Sequence, residues 1–305
     1  MKVTVTGATG TIGRALVREL RDRGDRVAVL SRDPERARQA LGGDVEAFAW
    51  PSLGSDPPPA ESLRGSGGVV HLAGEQLAQR WSDAAKREIR DSRVLGTRNL
   101  VAGLAALQEN ERPGTLVSQS AVGFYGAHGD KRLDESSPAG DDFLARVVAA
   151  WEAEARAAEE LGVRVVTPRT GVVLAKEGGA LEKMLPPFRL GVGGPVAGGR
   201  QYVPWVHLDD VVGAMLFCLD TDGASGPVNV TAPEPVTNKE LSKALGRVLH
   251  RPAVAPVPAL ALNLLYGEMA MVVTTGVRAG PRRLREFGYE FRQPDLEAAL
   301  REAVG

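Results

Sequence analysis

The chain of 305 residues holds one cysteine, Cys218, so no disulfide can form within it, and a reducing compartment is expected. It has no excess of either charge. Lys and Arg number 37 against 38 Asp and Glu, and the net charge of −1 with a pI near 6.5 gives no footprint for nucleic acid or an acidic membrane, whose binders concentrate cations on one face. The chain also lacks the roughly 20 consecutive apolar residues of a membrane span. Its most apolar stretch, 259–273, is interrupted by Asn263, Gly267 and Glu268 and is expected to be a buried helix or one at the interface of a homodimer. The N-terminus lacks the apolar core and cleavage site of a signal peptide, so a cytoplasmic protein is expected. Internal repeats and low-complexity tails are missing too. What remains is an ordinary globular composition, 43% hydrophobic, long enough for one large domain or a domain with a smaller lobe, and a small-molecule partner.

Short Val-rich runs alternate with amphipathic segments. Residues 3–6, 27–30, 69–72, 116–120 and 163–167 read as strands separated by helical patterns. Parallel strands can be joined only through crossovers, usually helical, so the alternation predicts an α/β fold with a doubly wound parallel sheet. Ile12, Ala15, Leu16 and Leu20 mark one face of the first helix, and Phe143, Leu144, Val147, Val148 and Trp151 form a stripe on another that should run from Asp142 to Leu161. Residues 51–68 read as a surface loop. Cys218 lies in an apolar run that reads as the buried face of a helix. Beyond Arg169 the pattern changes: glycine pairs mark long loops, and Thr237-Asn238-Lys239-Glu240 is a capping box opening a helix to Leu249. The expected division is a dinucleotide-binding domain over 1–172, with 206–232 returning to it, and a smaller C-terminal substrate lobe made of 173–205 and 233–305.

The first chemistry is at Gly7-Ala8-Thr9-Gly10-Thr11-Ile12-Gly13, which follows a strand and opens a helix. In that context glycines let the backbone approach a pyrophosphate at the helix N-terminus, the fingerprint of a Rossmann-type fold. The second strand ends in Ser31-Arg32 rather than in the acid that would accept bonds from the ribose of NAD. A guanidinium suits a 2′-phosphate, so NADP(H) is the expected cofactor, although Arg32 also fits a solvated surface charge. Asp33 precedes Pro34-Glu35 and reads as a helix N-cap. Leu72-Ala73-Gly74, after His71, give the small residues that a cofactor crevice needs, and His71 reads as a packed core histidine. Ser120 and Tyr125 bring hydroxyls to the same edge, where they either hold a substrate oxygen or satisfy turn amides. Arg200, in the glycine-rich loop 191–201, is available to an anionic substrate group or simply sits on a flexible surface loop. No metal site is assigned.

Together with Pro168-Arg169-Thr170-Gly171-Val172-Val173-Leu174, Gly191-Val192-Gly193-Gly194-Pro195, Trp205-Val206-His207-Leu208-Asp209-Asp210 and a C-terminal segment holding Pro281-Arg282-Arg283-Leu284, Gly288-Tyr289 and Pro294-Asp295-Leu296, these motifs span the chain. It resembles the extended short-chain dehydrogenase/reductases, and more narrowly the atypical NADP-dependent epimerase-like family with a C-terminal domain of unknown function. The resemblance implies cofactor contacts at Gly7, Gly10, Ile12, Ser31, Arg32, Leu72, Ala73, Glu88, Arg93, Arg169 and Val173. Glu88 and Arg93 also fit a surface ion pair on a helix.

The resemblance fails at one point. Such enzymes use a Tyr-x-x-x-Lys pair, the tyrosine exchanging a proton with substrate while the lysine lowers its pKa. None of the four tyrosines here is followed by lysine four residues on. An oxidoreductase or epimerase whose proton donor lies elsewhere, with Ser120 and Tyr125 the nearest candidates, therefore stands beside a sensor that binds NADP(H) without turnover. An ordinary nucleotide-sugar epimerase is a third reading, against which the missing tyrosine counts.

Overall fold

In the computed structural model, which describes residues 1–51 and 55–305, the Val-rich runs become strands of one sheet. In chain order the first elements are β1 (Lys2–Thr6), α1 (Thr11–Asp22), β2 (Arg26–Ser31), α2 (Pro34–Leu41), β3 (Glu46–Ala49), α3 (Ala60–Leu63), β4 (Gly68–His71), α4 (Asp83–Ala105), β5 (Thr115–Ser118) and β6 (Ser120–Ala121). There follow β7 (Arg132–Leu133), α5 (Phe143–Arg156), β8 (Arg164–Thr170), β9 (Val172–Leu174), α6 (Gly179–Arg189), β10 (Tyr202–Val203), β11 (Trp205–His207), α7 (Leu208–Asp220) and β12 (Gly226–Val230). The chain ends in β13 (Val236–Thr237), α8 (Asn238–Leu249), α9 (Ala259–Tyr266), α10 (Met271–Thr274), β14 (Arg278–Ala279), α11 (Arg282–Glu286) and α12 (Leu296–Val304).

The main sheet runs β12-β8-β5-β4-β1-β2-β3, all neighbours parallel, with β6 added beside β8. Successive side chains serve opposite faces. Val70, Val117 and Val166 pack with Leu16, Leu20, Ala37 and Val211 of α1, α2 and α7, whereas Val69, Leu116 and Val165 pack with Leu63, Leu100, Leu104 and Ala155 of α3, α4 and α5. Both faces being covered, the strands read as continuous apolar runs, and each buried valine contributes roughly 1.5–3 kcal/mol. A third core joins Leu181, Leu185 and Phe188 of α6 to Leu241 and Leu245 of α8 and Leu300 of α12. Cys218 is buried in α7, as expected, and burial pushes its thiol up to about 12. No helix among the described residues is long and apolar enough to cross a membrane.

Local signals were read correctly. Asp33 Oδ1 accepts the amide of Arg36 at 3.0 Å and caps α2, with Pro34 in its first turn. The capping box of α8 forms with both of its hydrogen bonds, and α5 begins at its cap, Asp142, and tightens into a 3-10 turn over Ala157–Leu161.

Three expectations change. The surface loop expected over 51–68 carries α3, whose Leu63 is fully buried; residues 52–54 of that stretch lie outside the described residues. The strand expected over 116–120 breaks at Gln119, so β5 ends at Ser118 and Ser120 pairs instead with Arg169 of β8. The helix expected over 259–273 is split by Gly267, which has a φ of +60°. Within the chain α9 buries none of its residues: Leu260 and Leu264 are 79% and 77% exposed, and burial is confined to Met269 and Ala270 in the turn that follows.

Candidate functional site

The carboxyl ends of β1, β2, β4 and β5 lie side by side, because these strands are sheet neighbours. From this edge the chain turns out of β1 at Gly7, whose φ of +66° only glycine adopts without strain. A Cβ there would also stand 2.8 Å from the carbonyl carbon of Leu72 and 2.9 Å from the amide of Ala73. At Gly13 a Cβ would fall 2.3 Å from the Gly7 oxygen, so this glycine lets α1 sit against the end of β1. Gly10 is different. Its Cβ would meet only the Gly7 oxygen, at 3.4 Å, so the space in front of it is open. Gly10 is also the N-cap of α1, and no side chain caps that helix, which leaves the amides of Thr11, Ile12 and Gly13 aimed outward with the positive end of the helix dipole.

Several residues singled out in the sequence lie around this turn. Ile12, Leu72 and Val173 are partly buried against the same core cluster. The loop entering α6 closes on Thr11, whose hydroxyl lies where a Cβ on Gly178 would be, at 2.3 Å. Thr9 is exposed, and its carbonyl accepts Nε of Arg14 at 2.8 Å. At the end of β2, Arg32 is exposed and makes no hydrogen bond or ion pair among the described residues, while the Ser31 hydroxyl is engaged with the backbone of Asp33.

At the end of β4, His71 and Thr6 are completely buried, with Nδ1 of the histidine 2.7 Å from the Thr6 hydroxyl. Burial lowers the His71 pKa to about 4, so the ring is neutral. Beyond it, the guanidinium of Arg93 lies against Gly74, donating to the carbonyls of Ile89 (3.1 Å) and Glu75 (2.9 Å) and stacking over Trp151 at 5.3 Å. Burial lowers its pKa to about 10, and no carboxylate among the described residues forms an ion pair with it. Glu88 stands on the exposed side of α4 and makes no such contact among the described residues.

Three residues expected at the site turn their side chains inward. Tyr125 is completely buried; its hydroxyl donates to Oδ1 of Asn229 at 2.7 Å and accepts Nη1 of Arg169 at 3.1 Å. Burial pushes it up to about 12, with Arg169 and Asn229 pulling the other way. Ser120 donates to Oε1 of Glu152 at 2.6 Å, and Arg169 grips the same carboxylate with two bonds of 2.7 and 2.8 Å while stacking 3.4 Å from the Phe124 ring centre. This network joins α5, β6, β8 and β12 and offers none of the three side chains to the crevice. Gln119 and Thr170, which were assigned no role from the sequence, have Oε1 and Oγ1 buried without a hydrogen-bond partner among the described residues at the ends of β5 and β8, as has Oγ of Ser118. The available signal was a polar residue at the carboxyl end of a central strand.

Arg200 is exposed, but its loop is tied down: Val196 pairs with Val257 and its amide donates to Oδ1 of Asn238 at 2.7 Å, and Gln201 donates to the carbonyls of Val196 and Val273. His207, Asp209 and Glu302 bring possible ligand atoms within 4.8 Å of one another, yet His207 Nδ1 already accepts the Asp209 amide as the cap of α7.

The pattern of the NAD dependent epimerase/dehydratase family matches residues 3–231, from β1 to the end of β12. The chain belongs to that family. A domain of unknown function, DUF1731, matches residues 257–303 of this family member. Among its relatives, the epimerase family protein SDR39U1 homolog, chloroplastic, of Arabidopsis thaliana is 41% identical over 99% of this chain and 86% of that protein. SDR39U1 of Mus musculus is 37% identical over the whole of both. The crystal structure of human SDR39U1 with NADPH superposes with a TM-score of 0.88 at 34% identity, covering 100% of this chain and 99% of that one.

Proposed function

We propose that this protein binds NADP(H) across the carboxyl edge of β1, β2, β4 and β5 and acts as an oxidoreductase or epimerase on an unidentified small molecule. The observation that carries the cofactor reading is the glycine turn, where an uncapped helix N-terminus faces the open space in front of Gly10. The human relative, crystallised with NADPH, supports the same ligand. In this reading the amides of Thr11 to Gly13 take the pyrophosphate, Arg32 takes the 2′-phosphate, and Ile12, Leu72 and Val173 form an apolar wall that keeps water from it. The guanidinium of Arg32, without a partner among the described residues, and the commitment of Asp33 to capping α2 favour the phosphorylated dinucleotide. When bound, the nicotinamide supplies a hydride donor or acceptor. A reducing, cytoplasmic setting suits the lone buried thiol.

Proton transfer is a separate matter. We assign Ser120, Tyr125 and Arg169 to scaffolding, because their polar atoms are spent on one another, on Glu152 and on Asn229. That burial, with the apolar Phe143, Leu144, Val147 and Val148 at the start of α5, favours a second reading, a sensor that holds NADP(H) without turnover. Arg32→Ala should weaken NADPH about 10- to 100-fold, the worth of a lost charged hydrogen bond, and NADH far less. Equal losses for the two would remove the 2′-phosphate assignment. NADPH should raise the unfolding midpoint, and oxidation of NADPH by any member of a carbonyl or sugar-nucleotide panel, followed at the nicotinamide absorbance, decides for the enzyme over the sensor.

A further inference from the structure

We infer that His71 is a positioning residue of the cofactor edge, the middle of a buried Thr6–His71–Thr97 relay that turns the amides of Leu72 and Ala73 inward and leaves their carbonyls as acceptors for the ligand. The inference rests on the NADP(H) reading for the identity of that ligand. Proton counting gives the relay its direction. The Thr6 hydroxyl accepts the amides of Leu72 and Ala73, each at 3.1 Å, which occupies both of its lone pairs. Its own proton is the only one left for the 2.7 Å contact to His71, so Nδ1 is the acceptor there and the proton of the neutral ring is on Nε2. Nε2 then donates to the Thr97 hydroxyl at 3.0 Å. With the proton on Nδ1 instead, three donors would converge on the Thr6 oxygen and the hydroxyl proton would point at no acceptor. All three residues are fully buried, so water cannot repair the mismatch.

The consequence is a division of labour along the crevice. The Leu72 amide is shared between the Thr6 hydroxyl and the Thr6 carbonyl, and the Ala73 amide is held by the hydroxyl, so neither is available to an anion. The carbonyls of Leu72 and Ala73 accept from no donor among the described residues. The β4 edge is therefore built to accept, and α1 is built to donate. A dinucleotide meets both demands, with phosphate oxygens toward α1 and ribose hydroxyls toward β4.

Thr97→Val keeps the side-chain volume and removes the acceptor; Thr97→Ser keeps the acceptor. Long-range proton–nitrogen spectra of the cofactor-free protein should find His71 as the Nε2–H tautomer. Amide exchange of Leu72 and Ala73 should speed up in Thr97→Val and recover in Thr97→Ser. NADPH affinity should fall about tenfold in the valine variant and return to within about twofold in the serine variant. An Nδ1–H tautomer in the wild type, or a folded Thr97→Val that keeps both slow exchange and wild-type affinity, overturns the inference. Failure of the wild type to bind NADPH while the tautomer and exchange results hold refutes the cofactor reading and leaves the relay standing.

Discussion

At the scale of single residues, three glycines of one motif do three different jobs. Gly7 supplies a positive φ and a close approach to β4, Gly13 lets a helix lie against a strand end, and Gly10 leaves room in front of the helix. The spacing was legible in the sequence, but the roles were not, since each depends on what stands opposite. They separate by mutation. Gly13→Ala drives a methyl into the Gly7 carbonyl and should cost at least about 1–3 kcal/mol in denaturant titration. Gly10→Ala, whose methyl would meet only the Gly7 oxygen at 3.4 Å, should cost no more than about 1 kcal/mol as a poorer N-cap and should weaken NADPH binding instead. A Gly10→Ala protein that binds NADPH as tightly as the wild type would remove the glycine turn from the cofactor site.

Elements whose ends are set by local chemistry were read well, and those set by their neighbours were not. Caps at Asp33, Asp142 and Thr237 act over three residues, so the sequence contains the whole interaction. The short α3 is held by Leu63 in a core shared with Leu100 and Leu116, residues remote from it in the chain. α7 illustrates both cases. Its apolar face was plain from the sequence, but Asp210, in the Trp205 to Asp210 motif, proves to be a buried clamp: Oδ1 accepts the Tyr289 hydroxyl (3.1 Å) and the amide of Arg292 (2.7 Å), and Oδ2 accepts the amide of Gln293 (2.9 Å). Asp210→Ala strands these donors and should cost roughly 2–4 kcal/mol. Hydrogen exchange should show Arg292 and Gln293 losing protection ahead of the sheet; unchanged protection there would mean the C-terminal segment is held by its apolar contacts alone.

For the molecule as a whole, the neutral burial of His71 sets a pH dependence. Its pKa is about 4 when folded against 6.5 as the ordinary value, so between those limits the unfolded chain binds the extra proton and acid favours unfolding. Stability should fall by about 3 kcal/mol from this group as pH drops from 7 to 4, and little further below that, where the folded histidine takes up the proton as well. Denaturant titrations of the wild type and His71→Asn across that range isolate the effect; parallel curves for the two proteins would contradict it.

The sequence by itself determined the parallel sheet and the glycine turn, because periodicity and turn chemistry are local properties, and Ser31-Arg32 at the end of a strand was enough to raise the 2′-phosphate proposal. It also exposed the missing tyrosine–lysine pair. Only the tertiary structure decided which partners Ser120, Tyr125 and Arg169 meet, since Glu152 and Asn229 come from α5 and β12, up to 104 residues away. A hydroxyl at a strand end looks the same in a sequence whether it faces a ligand or a buried amide or carboxylate. The packing around it makes that choice.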